Sequence, residues 1–318
     1  MITIPHPAVS VRLPTAWRHP DGVIPDPTDP GDDDPGGWAD TFTSRDFTAL
    51  DTWYAAHTGH NPALDYTTIT GNLTITDDWL ASNLGNGRAT QVAGRWVVER
   101  YRVTGSLGVN ADNVTLRNCH VDSDGALYGL RSTTNCHGLI AEHCTLAGNG
   151  ANDNGAALNF SAARTPGQIT IRFCDISGFR AGLYCFGGVH AEYCWVHDLH
   201  FSEGSHNTGA SLRAGNNTLR RNLITDGNSA AISWYPEYGP YTGNLAIENA
   251  LRLPESDTGP EVILAASRAY STPEPGDTRR LVDNLFYRGG SGGGGIGGML
   301  TGFTTIAGNH NRFGNPVG

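Results

Sequence analysis

Residues 195–209 carry the densest run of groups able to move protons: His197, Asp198, His200, Glu203 and His206. An imidazole beside a carboxylate is the basic equipment of general acid–base chemistry. Further along stand Trp234, Tyr235, Glu237, Tyr238 and Tyr241, then Glu255, Asp257 and Glu261. Flat rings suit the apolar faces of sugars, and carboxylates are what cleavage of a glycosidic bond requires. Three readings follow. A polysaccharide-cleaving site would draw on His197, Asp198, Glu203, His206 and Glu237. A non-catalytic glycan contact would use Trp234, Tyr235, Tyr238 and Tyr241. Ordinary surface is the third, because the long polar turns of a soluble β protein contain the same residue types.

No metal or cofactor is expected. The six Cys include no C-x-x-C pair, and the run Asn149–Gly155, calcium-loop-like at first sight, holds one carboxylate and reads as a turn. The sequence has no phosphate-binding glycine motif and no nucleophile elbow.

What must position these groups is a phrase that recurs down the chain. Asn113–Val121, Gly138–Leu146, Gln168–Ile176 and Gly188–Val196 alternate apolar and polar residues around Cys119, Cys144, Cys174 and Cys194. Asn then takes the Cys position, at Asn222, Asn249, Asn284 and Asn311. By subtraction the intervals are 25, 30, 20, 28, 27, 35 and 27 residues. Each phrase predicts a short strand ended by turn residues, and none leaves room for a crossover helix. A constant strand with variable turns predicts an all-β fold, a right-handed parallel β-helix in which successive coils stack about 4.8 Å apart. The Cys and Asn side chains should form an internal ladder, which makes four of the thiols core rather than disulfide partners. Cys136 and Cys185 fall outside it, and their state stays open.

The composition agrees. Of 318 residues 42 are Gly and 16% are charged, as a turn-rich β protein requires. The net charge of −10, with no Lys among the 21 basic residues, argues against nucleic acid as a partner. No stretch reaches the roughly 18 apolar residues of a membrane span. Residues 1–42 read as an extended arm: Ile2, Ile4, Val9, Val11 and Leu13 alternate like a strand, and a Pro- and Asp-rich linker follows. Such a strand is suited to dock on the sheet edge of another protein. The second domain is expected over 43–318. It opens with an amphipathic helix, with Ser44 as N-cap and Phe47, Leu50 and Tyr54 on one face, that should cap the open end of the β-helix. The Gly-rich run 289–298 reads as a flexible loop or a close backbone contact.

With Asn113–Cys119, Val196–Leu199 and His206–Gly209 in view, the chain resembles right-handed parallel β-helix proteins of actinobacteria and their phages, in the phages minor tail proteins of the tail-spike type. The likeness covers roughly residues 65–315. It implies a virion component in which residues 1–40 bind other tail or baseplate proteins, the β-helix meets host surface polysaccharide, and three copies associate. The start Met1–His6, with neither basic nor apolar run, fits a protein released by lysis. Family members commonly read His-Asn-Asp-Gly where this chain has His206-Asn207-Thr208-Gly209. The missing acid lowers the expectation of enzyme activity. The wider pectate-lyase-like group uses Ca²⁺, but no such ligand set carries over to residues of this chain.

Overall fold

The computed structural model describes residues 36–132, 136–150, 155–160, 169–200, 207–225, 230–235, 242–253, 265–269, 276–288, 296–298, 303–311, 313 and 315–316. The chain divides into two compact units, Met1–Gly36 and Gly37–Gly318. The expected arm strand and Pro-rich linker therefore lie outside the described residues.

Among the described residues of the second unit, twenty-nine short strands fall into three sheets, here sheet 1 and sheet 3 of ten strands each and sheet 2 of nine. The chain visits them in rotation. Val114–Arg117 lies in sheet 3, His120–Ser123 in sheet 1 and Tyr128–Arg131 in sheet 2, before Leu139–Glu142 returns to sheet 3. Each strand pairs in parallel with its equivalent one circuit earlier and one later, as Ile140 does with Thr115 and Thr170. The exception is the antiparallel pair Ala89–Val92 with Arg95–Glu99 at one edge of sheet 3. No helix of the described residues is long and apolar enough to cross a membrane.

Alternation along the strands sorts the side chains. In sheet 3, Val98, Leu116, Ala141, Ile171, Ala191, Leu219, Ala246 and Leu281 form one buried inward column. On the outer face of the same strands the column reads Glu99, Arg117, Glu142, Arg172, Glu192, Arg220, so the charge changes sign at every circuit. Glu142 accepts from Arg117 Nε at 2.5 Å and from Arg172 Nη2 at 2.7 Å.

The predicted ladder is present and runs through the core. Cys119, Cys144, Cys174 and Cys194 are free and buried, and so are Cys136 and Cys185. Burial pushes the Cys136 and Cys185 thiols up to about 12. Cys194 Sγ donates to the Ile171 carbonyl one circuit back at 3.4 Å, and Asn222 Nδ2 does the same to Ala191 at 2.9 Å. Asn adds what Cys cannot: Asn222 Nδ2 also donates to Asn249 Oδ1, Asn249 Nδ2 to Asn284 Oδ1, and Asn284 Nδ2 to Asn309 Oδ1. The last rung is thus Asn309, not Asn311. Ile306-Ala307-Gly308-Asn309 repeats the form of Leu281-Val282-Asp283-Asn284, and Asn311 lies in the next strand.

The corner between sheets 3 and 1 is one residue in left-handed conformation: Asn118, His143, Phe173, Tyr193, Arg221, Glu248 and Asp283 have φ between 48° and 55°. None is Gly, although the conformation costs a side chain about 1–2 kcal/mol. Stacking compensates. The rings of His143, Phe173 and Tyr193 lie 5.0 Å apart at 6° to one another, and Arg221 continues the column with its Cζ 5.6 Å from the Tyr193 ring.

Among the described residues there are also three short helices: α1 (Trp38–Ser44), α2 (Phe47–His57) and α3 (Asp77–Asn83). Helix begins before the expected boundary at residue 42, and Ser44 closes α1 rather than opening α2. The N-cap of α2 is Asp46, whose carboxylate accepts from Thr48 N and Ala49 N. Nor does α2 cover an open end. Its Leu50, Trp53 and Tyr54 pack on Phe173, Tyr193, Leu223, Ala250 and Leu285, so it lies along the flank of the stack. Asp51 pairs with Arg252 at 2.8 Å, and Tyr54 Oη donates to the Arg221 carbonyl. Helix α3 follows an edge strand of sheet 2, Leu73–Ile75, and sinks Leu80 into the main core with Ile75 and Val109.

Candidate functional site

His197 ends the sheet 1 strand Trp195–His197, one circuit after Asp175–Ser177. The two strands bring its ring to Asp175, and the turn brings Asp198 to its other side. Nε2 lies 2.9 Å from Asp175 Oδ1 and Nδ1 lies 2.8 Å from Asp198 Oδ2. Two carboxylate acceptors require both nitrogens to donate, which makes the ring an imidazolium. Burial works against that charge, but the bonds and charges of Asp175 and then Asp198 outweigh it and hold the His197 pKa above its ordinary value. The Trp195 ring stacks on the imidazole at 3.8 Å. With both nitrogens engaged and one face covered, His197 has no position from which to take or give a substrate proton. Asp198 stands in left-handed conformation (φ 46°), where the preceding circuit has Gly178. The arrangement ties circuits together.

Of the other catalytic candidates, Glu203, His206 and Glu237 lie outside the described residues, as do Glu255, Asp257 and Glu261. The rest of the His206–Gly209 motif is structural. Asn207 is buried and donates through Nδ2 to the His200 carbonyl, while buried Thr208 and Gly209 begin the strand Thr208–Leu212. A Cβ on Gly209 would stand 2.1 Å from Ile224 Cγ2, so that position admits no side chain.

The aromatic candidates separate. Trp234 is fully buried, its ring edge-on to Phe303 at 5.3 Å, and offers no face to a sugar. Alternation accounts for this: it shares the inward column of Cys185 and Leu212. Tyr235, the next residue, points out and is 43% exposed. Tyr238 and Tyr241 lie outside the described residues. Tyr235 does not stand alone. Arg213 Cζ is 4.2 Å from the Tyr184 ring, and 5.8 Å from those of Phe186 and Tyr235. Tyr184, Ser211 and Ser233 are register partners on three successive strands of sheet 2. None of the nine strands of sheet 2 contains Asp or Glu, whereas the strands of sheets 1 and 3 do. The sequence contained the signal for this patch in Tyr184-Cys185-Phe186 and Ser211-Leu212-Arg213, which alternate as Ser233-Trp234-Tyr235 does.

A second cluster was not anticipated. The segment between α2 and the first strand, Thr67–Ile69, crosses the outside of sheet 1, where His60 meets His120 and Thr145. The His60 and His120 rings lie 4.4 Å apart, and His60 Nδ1 is 2.8 Å from Thr145 Oγ1. Among the described residues no group of three or more His, Cys, Asp or Glu side chains is placed to hold a metal ion. Compared with protein-family models, curated proteins and solved structures, the chain matches none.

Proposed function

We propose that the three sheets are the faces of a right-handed parallel β-helix, and that the chain is a non-catalytic glycan-binding component of a phage tail. The supporting observation is the Tyr184–Arg213–Tyr235 patch: a guanidinium 4.2 Å over the Tyr184 ring and 5.8 Å from the exposed Tyr235 ring, on a sheet whose strands carry no carboxylate. An exposed Tyr235 ring and a half-buried Tyr184 ring beside a planar donor suit the alternating apolar and hydroxyl faces of a sugar. In this reading residues 1–40 attach the chain to other tail proteins, and the Tyr235 patch of sheet 2 meets the host wall polysaccharide. The tail assignment rests on the sequence resemblance.

Calorimetric titration with purified actinobacterial wall polysaccharide tests it. Loss of one ring contact worth roughly 1 kcal/mol should weaken binding about fivefold in Tyr235→Ala and again in Tyr184→Ala. Unchanged binding in the double variant would sink the proposal. The alternative, polysaccharide cleavage, is less favoured because His197 is enclosed between Asp175 and Asp198. New reducing ends or unsaturated products, abolished by His197→Gln, would reinstate it.

A further inference from the structure

The segment from α1 to Tyr66 runs the length of the flank. Its contacts pass from Leu285 and Arg252 at α2, through Tyr193 and Phe173, to Thr145 and Asn118, before Thr67 pairs with Tyr101. Between the apolar packing of α2 and that first strand, the polar attachments are few. Gly59 N donates to the Phe173 carbonyl, His60 N to Thr145 Oγ1 and Asn61 N to Asn118 Oδ1. The fit is close at Gly59, where φ is +81° and a Cβ would stand 2.8 Å from Thr145 Oγ1.

One histidine of this strap faces a histidine of the stack: the His60 ring lies against that of His120, 4.4 Å away. We propose that residues 38–66 form a proton-gated strap, docked on the flank at neutral pH and released on acidification by charge repulsion between His60 and His120.

The surrounding charges favour release. Around His60 and His120 stand Arg102, Asp122 and Asp175, with Tyr66 edge-on to His60. Asp122 pairs with Arg102 at 3.4 Å, and Asp175 is already taken by His197. The counter-forces are apolar packing, the Asp51–Arg252 and Asp65–Arg88 ion pairs and the hydrogen bond from Tyr54 to the Arg221 carbonyl.

Burial first, then His60 and Arg102, push docked His120 down to about 4 from its ordinary 6.5. Burial likewise lowers His60 and His143. A histidine whose docked value is lowered stabilises the docked form above its free value, and that stabilisation is lost as pH falls. Each pH unit between the two values therefore shifts the ratio of docked to released strap by about tenfold per histidine.

Hydrogen exchange read by mass spectrometry at about pH 7.5 and about pH 5, with exchange times scaled for intrinsic rates, tests the proposal on the full chain. Amides of 47–61 should lose protection at least about tenfold at the lower pH, while those around Asn222 and Asn249 keep theirs. The combined His60→Gln and His120→Gln variant should retain strap protection at both. His120→Phe, which keeps a flat ring against His60, serves as the second variant should Gln weaken docking. Equal protection of the wild-type strap at both pH values would overturn the proposal. So would loss of strap and ladder together, or an unaltered pH response in His120→Phe.

Discussion

Replacing Asn249 by Ala puts a number on the ladder. Asn249 Oδ1 accepts from Asn222 N at 3.0 Å and from Asn222 Nδ2 at 2.9 Å, and Asn249 Nδ2 donates to Leu219 O and Asn284 Oδ1, each at 2.9 Å. All four rungs, Asn222, Asn249, Asn284 and Asn309, are buried. Alanine leaves two donors of Asn222 without acceptors in a place water does not reach. At roughly 1–3 kcal/mol for each stranded group, the variant should lose about 3–5 kcal/mol. Asn249→Cys should lose less, about 2–3 kcal/mol, because a thiol still donates one circuit back as Cys194 does to Ile171. Guanidinium unfolding followed by far-ultraviolet circular dichroism reads both. A loss below about 1 kcal/mol in the Ala variant would refute the view that the amide matters for what it accepts, and equal losses in the two would refute the contribution assigned to the thiol's donation.

Gly178→Ala should cost at least about 3 kcal/mol in the same assay, since φ is +72° and the new Cβ would meet Gly148 O at 1.9 Å. His197 should act opposite to the strap histidines. Its pKa is raised, so its pairing with Asp175 and Asp198 stabilises fully below the ordinary histidine value and is lost as pH rises through the higher folded value. His197→Gln should therefore flatten the stability profile just above neutrality, and a variant with an unchanged profile would contradict the assigned charge.

Much of this fold was legible because one strand phrase repeats, and period-two alternation alone assigns inward and outward columns. That rule, applied to Ser233-Trp234-Tyr235, would have hidden Trp234 and exposed Tyr235. Grouping aromatics by proximity in sequence obscured it. The last rung was misread for a related reason: Gly308 replaces the larger corner residues, which disguised Asn309. The flank position of α2 was not legible. Its partners Phe173, Tyr193 and Leu285 lie more than 100 residues away and present an outer surface that the repeat pattern reads as solvent-facing. The His60–His120 meeting was hidden likewise, because a strap leaves no periodic trace in either partner.

The outer column of sheet 3 limits how the gene can lengthen or shorten. Removing residues 144–173, one circuit, would delete Arg172 and bring Glu142 against Glu192. Two like charges at strand spacing repel by on the order of 1–3 kcal/mol. Removing residues 144–193 deletes Arg172 and Glu192 together, and Glu142 then meets Arg220 with opposite sign. Between Glu99 and Arg220, circuits should be gained or lost in pairs. The shorter deletion is expected to be the less stable of the two per circuit retained, and comparing their melting temperatures would test this parity.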